Sequence, residues 1–326
     1  MNVVFMGTPE FARCPLEYLH RKTRHRIMAV VTGPDKKSGR GRKLVPTPVK
    51  TAAADLELPV FTPESLKDDK FLARIRRVDA DIYVVVAFRI LPPALYTIPP
   101  EGAINLHASL LPRYRGAAPI NWALINGEKE TGLTTFFLKK KVDTGNIIYQ
   151  EKIGIDPDDT ADDLAGRMAE RAGPVIARTL DMIAEGYVTQ ISQDDRLATP
   201  APKISPFDCL IDWGFPTENI VNFVRGMSSS PGAFTFYRGR QLKILRARRT
   251  GISPSADYRP GQVIGDKKRL LVATADGAAE IAEVLPEGKK KMTGSQFVQG
   301  YRPADGEQLG QPLRESNKEN EKRNSD

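Results

Sequence analysis

The chain has 326 residues, a length that points to two domains, and its 40% hydrophobic and 27% charged residues are ordinary for a protein with real cores in water. No apolar run is long enough to cross a bilayer, two cysteines far apart argue against a disulfide framework, and three scattered histidines make no zinc spacing, so neither membrane nor metal is expected. The net charge of +8 is compatible with a polyanionic partner such as nucleic acid.

The opening MNVVFMGTPEF reads as a buried strand, Asn2 to Met6, entering a turn at Gly7-Thr8-Pro9. It lacks the pattern of a secretory signal, so a cytoplasmic location is expected. A helix should start near Pro9, a residue favoured at a first helical position, and carry Phe11, Leu16 and Leu19 inward. Strands follow at Ile27 to Thr32, Val60 to Thr62, Asp81 to Phe88, Ile104 to His107, Leu133 to Leu138 and Asn146 to Ile155. Thr160 to Glu185 reads as a long amphipathic helix whose acidic start suits the helix dipole. Continuous apolar strands alternating with helices imply an α/β domain with a Rossmann-like, mostly parallel sheet over residues 1–192. The Gly7 turn has one glycine where a dinucleotide fingerprint needs three, which leaves a nicotinamide oxidoreductase a weak reading.

Residues 193–206 are rich in Pro, Ser, Thr and Asp and read as a linker. Residues 207–309 change style. After a helix at Thr217 to Met227, with Thr217 as its N-cap, short alternating segments are separated by glycine-bearing turns, the pattern of a small, mostly antiparallel, OB-like β-barrel. The tail, 310–326, is polar and charge-mixed and reads as disordered. Basic residues cluster at Lys36 to Lys43, around two glycines, and again at Arg246 to Arg249, Lys267 to Arg269 and Lys289 to Lys291. One such run is usually a solvated face; clusters in both domains shift the balance towards a nucleic-acid surface.

The most informative stretch is INLHASLLPRYRGAAPINWAL, from Ile104 to Leu124, followed by Val142-Asp143-Thr144-Gly145. Asn105 and His107 lie two apart on a strand, so both leave the same face. Each alone is unremarkable, and Asp143 alone could initiate a turn. Together an amide, an imidazole and a carboxylate near a strand end can polarise a carbonyl and manage a proton without a metal.

GTPEF, GPDKKSGRGRKLVPTPVK, VVVAF, INLHASLLPRYRGAAPINWAL and VDTGNIIY, with Ile211-Asp212-Trp213 and EGKKKMTGSQFVQGYR further on, occur in the order and spacing of one family. The chain resembles the methionyl-tRNA formyltransferases, over nearly all its length up to Arg302. The Asn-x-His, SLLPxxRG and Asp-x-Gly motifs are shared by folate-dependent formyltransferases and formyl hydrolases; the GRGRKL loop and the second domain narrow the likeness. The resemblance implies formyl transfer from 10-formyltetrahydrofolate to the amino group of methionyl initiator tRNA, by a monomer. It implies a catalytic trio of Asn105, His107 and Asp143. Ser109, Leu110, Leu111 and Pro112 match the folate-contacting segment, and backbone groups of Phe88, Arg89, Ile90 and Leu91 would line the pterin pocket. The basic loop would reach the acceptor stem, through Arg40, Arg42 and Lys43. Two alternatives stay open: a folate-dependent formyltransferase for a small amine, and a non-catalytic RNA-binding protein on a degenerate catalytic fold, against which the intact trio argues.

Overall fold

The computed structural model describes residues 1–38 and 43–310. Arg40 and Arg42 of the basic loop, and residues 311–326 of the tail, lie outside the described residues. The chain divides into two compact units. Unit 1 holds 1–120, 129–156 and 163–203, and unit 2 holds 121–128, 157–162 and the residues from 204 onward.

Unit 1 is built on a seven-stranded sheet. Its elements run β1 (Asn2–Gly7), α1 (Glu10–Lys22), β2 (Arg26–Val31), a short ribbon of β3 (Lys36–Ser38) and β4 (Lys43–Val45), α2 (Pro48–Asp55), β5 (Val60–Phe61), α3 (Asp69–Arg76), β6 (Ile82–Val86), α4 (Pro93–Tyr96), β7 (Ala103–His107) and β8 (Arg115–Gly116). After α5 (Pro119–Ile125) come β9 (Glu130–Phe137), β10 (Ile147–Gly154), α6 (Ala161–Ala184) and β11 (Pro200–Ala201). The strand order is β10-β9-β7-β6-β1-β2-β5, parallel from β7 to β5 and antiparallel at β9 and β10. The central runs are apolar without alternation because helices cover both faces: Val3 to Met6 of β1 and all of β6 are buried. Each fully buried Val or Ile there contributes roughly 1.5–3 kcal/mol relative to exposure. The chain winds outward from β1 through β2 to β5, then from β6 to β7 the other way. Such a reversal opens a crevice beyond the carboxyl ends of the strands.

In unit 1 two local expectations shift. Pro9 is the N-cap of α1 rather than its first residue, so the helix opens at Glu10. The segment from 193 to 201 folds onto unit 1: β11 pairs in parallel with β8, joining Pro200 to Arg115 and Ala201 to Gly116.

Unit 2 carries α7 (Thr217–Met227), β12 (Phe234–Tyr237), β13 (Arg240–Arg249), β14 (Val263–Ile264), β15 (Leu270–Ala273), β16 (Ala278–Pro286), β17 (Met292–Thr293) and α8 (Gly294–Tyr301). Its antiparallel sheet runs β12-β13-β16-β15-β14, with β17 on β16, and forms a half-barrel. Ile220, Val224 and Met227 of α7, spaced at helical intervals, share a buried core with Ile244, Val272, Ile281 and Val284 of the sheet and Phe297 of α8. Thr217 is the first helical residue and not the cap. Its N–H and hydroxyl donate to Asp276 Oδ1 at 2.7 and 2.9 Å, so the acceptor that caps α7 comes from the turn before β16.

Candidate active site

β7 presents Asn105 half-buried and His107 buried, two residues apart. Asn105 Oδ1 is buried and has no hydrogen-bond partner. His107 Nε2 lies 2.8 Å from the Tyr114 carbonyl oxygen. A carbonyl only accepts, so Nε2 carries the proton and Nδ1 is the nitrogen left to gain or lose one. His107 Nδ1 is 3.9 Å from Asp143 Oδ2, too far for a hydrogen bond and close enough for a direct charge interaction when the ring is protonated.

Asp143 lies in the connection between β9 and β10 and is buried, at φ +53°. A non-glycine residue in the left-handed region persists only where its surroundings over-determine it. Its Oδ2 accepts the Gly116 N–H at 3.0 Å. Gln193 Nε2 donates to the carbonyls of Asp143 and Gly145 at 2.9 and 2.8 Å. Gly145 itself has no room for a side chain, since a Cβ would fall 1.7 Å from the Phe137 carbonyl oxygen. Gly116 is constrained the same way: φ is +130°, and a Cβ would meet the Ala201 carbonyl oxygen at 2.4 Å.

The segment after β7 holds the remaining motif residues. Ser109 is fully buried, and its hydroxyl donates to the Arg113 carbonyl at 2.6 Å, closing the turn. Leu111 is buried against Phe136 and Ile147; its N–H donates to Thr134 Oγ1, and its carbonyl accepts from Gln150 Nε2. Leu110 and Pro112 are half-buried. The segment after β6 leaves the neighbouring parallel strand. There Phe88 and Arg89 are half-buried, Ile90 is 74% exposed and Leu91 is buried in the core. The Arg89 guanidinium donates to the carbonyls of Pro63 and Glu64 and stacks 5.2 Å from the Phe88 ring centroid. Burial pulls its pKa down, and its Nε has no partner. Lys43 stands on β4. Arg40 and Arg42 are outside the described residues.

The structure thus brings His107 and Asp143 together with Tyr114, Gly116 and Gln193, and places Asn105 two residues before His107 on β7. Tyr114 and Gly116 sit inside the motif, but their parts are played by backbone atoms, which no side-chain pattern announces. Gln193 gives no signal in the sequence.

A family model for formyl transferase matches residues 1–180, and one for the formyl transferase C-terminal domain matches 203–302. The methionyl-tRNA formyltransferase of Moorella thermoacetica is 44% identical over 312 residues, 95% of this chain and 99% of that protein. The chain belongs to the methionyl-tRNA formyltransferase family. The Geobacter sulfurreducens member of the family is 41% identical over 313 residues, covering 95% of this chain and 97% of its own. Among solved structures, the methionyl-tRNA formyltransferase from Clostridium thermocellum aligns with a TM-score of 0.53 at 16% identity, over 85% of this chain and all of that one. The sugar 3N-formyl transferase WlaRD aligns with a TM-score of 0.61 at 16% identity, over 89% of this chain and 99% of that one. At such identities these two likenesses speak for the fold.

Proposed function

We propose that the protein transfers the formyl group of 10-formyltetrahydrofolate to the amino group of methionyl initiator tRNA, in the cytoplasm and as a monomer. The observation that carries the reading is the 44% identity to a methionyl-tRNA formyltransferase across 95% of the chain. The donor is bound by the segments after β6 and β7, Phe88 to Leu91 and Ser109 to Pro112. A ligand there is supported by two buried polar atoms without protein partners, Arg89 Nε in the first segment and Asn105 Oδ1 on β7, since leaving such atoms unmet costs about 1–3 kcal/mol each.

The bound folate supplies an activated formyl carbon. The Asn105 amide and the His107 imidazole act on the formyl oxygen as it gains charge when the amine attacks. With Nε2–H committed to Tyr114, His107 works through Nδ1: protonated there, it donates to that oxygen. Asp143, 3.9 Å away, balances the imidazolium and helps pass the proton released by the amine to the folate nitrogen, which leaves as its bond to the formyl carbon breaks. Losing one such donor typically costs roughly 2.7–4 kcal/mol of barrier, about 10²–10³ in rate. Arg40, Arg42 and Lys43 of the basic loop, with the cations of unit 2, meet the tRNA.

The test is transfer of labelled formyl from 10-formyltetrahydrofolate to methionyl initiator tRNA, run beside free methionine, glycinamide ribonucleotide and uncharged tRNA. Label entering only the charged initiator tRNA is the expected result. Label entering a small amine would overturn the acceptor, and no transfer at all would overturn the enzyme. His107→Ala should lower kcat by about 10²-fold or more while tRNA affinity stays near that of the parent.

A further inference from the structure

We infer that Gln193 is a positioning residue for the Asp143 carboxylate, and that the segment from 193 to 201 is the frame on which the reacting groups hang. The inference rests on the reading of His107 and Asp143 as the reacting pair.

The Gln193 side chain uses its whole amide. Its Nε2 donates to the carbonyls of Asp143 and Gly145, at 2.9 and 2.8 Å. Its Oε1 accepts from Arg115 Nε and Nη2, at 3.0 and 2.7 Å. The guanidinium only donates, so the orientation of the amide is fixed: oxygen towards Arg115, nitrogen towards the two carbonyls. Arg115 is itself tied to Asp195 by a 2.7 Å ion pair. One side chain, about fifty residues downstream, thus grips the backbone on both sides of Thr144 and stabilises the left-handed Asp143.

The same segment fixes the other half of the site. Thr199 Oγ1 accepts the Tyr114 N–H at 2.8 Å, and the Thr199 carbonyl accepts the Arg115 N–H at 2.9 Å. Tyr114 supplies the carbonyl that orients His107, and Gly116 supplies the N–H that holds Asp143. Both partners of the reacting pair are therefore set by backbone anchored to residues 193–201. A displacement near 1 Å at a reacting group costs about 10²-fold in rate, which is the scale on which this frame acts.

Gln193→Glu separates positioning from simple attachment. It keeps the side-chain length and the bond to Arg115, strengthened by charge, but turns two donations into repulsion between carboxylate and carbonyls. Expected is a fall in kcat of about 10–100-fold, with KM for folate donor and for charged tRNA within about twofold of the parent. In an Asp143→Asn background the same change should cost less than about threefold, because the effect runs through Asp143. If Gln193→Glu does not fold, Gln193→Met, of similar length and without hydrogen-bonding N or O atoms, takes its place. A kcat within twofold of the parent, or an equal loss in both backgrounds, would overturn the inference. Near-normal turnover in Asp143→Asn alone would remove the catalytic reading, and the positioning role with it.

Discussion

At the scale of single residues the same substitution should act in opposite directions at two glycines. Gly145 is walled in: a Cβ would lie 1.7 Å from the Phe137 carbonyl oxygen and 2.8 Å from a Phe136 ring carbon. Both obstacles belong to β9, which is bonded on two sides, so the loop must give way. Gly145→Ala should destabilise unit 1 by about 1–3 kcal/mol and cut turnover, since Asp143 sits two residues away. Gly166 lies exposed within α6, and a methyl group added there would meet nothing within 4 Å. Gly166→Ala should stabilise by roughly 0.5–1 kcal/mol and leave turnover unchanged. Thermal unfolding and kcat for the two variants check both signs. Equal shifts would mean that the Asp143 loop is not packed as described.

At the scale of elements, α7 depends on an acceptor that is distant in sequence. Asp276 accepts from the Thr217 N–H and hydroxyl, and these bonds hold its carboxyl below the usual value of 3.8. Glu307, gripped by Arg238, is likewise held below its usual 4.5. A carboxylate whose folded pKa is depressed adds stability that is complete above its unfolded pKa and is lost as pH falls through the folded value. Unit 2 should therefore weaken as pH drops below about 4.5. Asp276→Asn and Glu307→Gln should lower its stability at neutral pH and flatten its acid dependence. Unfolding midpoints of parent and variants across pH 2–7 decide it, and parallel curves would remove these carboxylates from the explanation. The cap also marks where sequence reading stops. The apolar runs of β1, β6 and β7 and the helical spacing of Ile220, Val224 and Met227 announce themselves. So do Asn105 and His107, because period two is local. Asp276, the two-residue pairing of β8 with β11, and Gln193 are long-range partnerships with no periodicity. α8 stays hidden for another reason: Gly294 and Gly300 speak against a helix, although the Thr293–Gln296 capping box stands in the sequence.

At the scale of the whole molecule, the net charge of +8 does not say which cations a polyanion meets, because some are held by acidic neighbours and others stand free. In unit 2, Arg249 pairs with Glu218, Arg269 with Asp266, and Lys291 with Glu283. Arg248, Lys267, Lys268, Lys289 and Lys290 are exposed and carry no ion pair among the described residues. Cations of this kind displace counterions from phosphates, and each contact steepens the salt dependence of binding. If about four of them meet backbone phosphates, affinity for initiator tRNA should fall about 10²-fold between 50 and 200 mM salt. Replacing Lys289 and Lys290 by Gln should lower the slope of log affinity against log salt by about 1–2, and the two lines should converge at high salt. Arg269→Gln, whose cation already faces Asp266, should change the slope much less. Titrations of charged initiator tRNA at several salt concentrations give all three slopes. A parent slope near zero would take the basic surface of unit 2 out of tRNA binding, leaving the loop at Lys36 to Lys43 to account for it. Equal loss from the paired and unpaired cations would show that ion pairs within the unit do not decide which charges reach the tRNA.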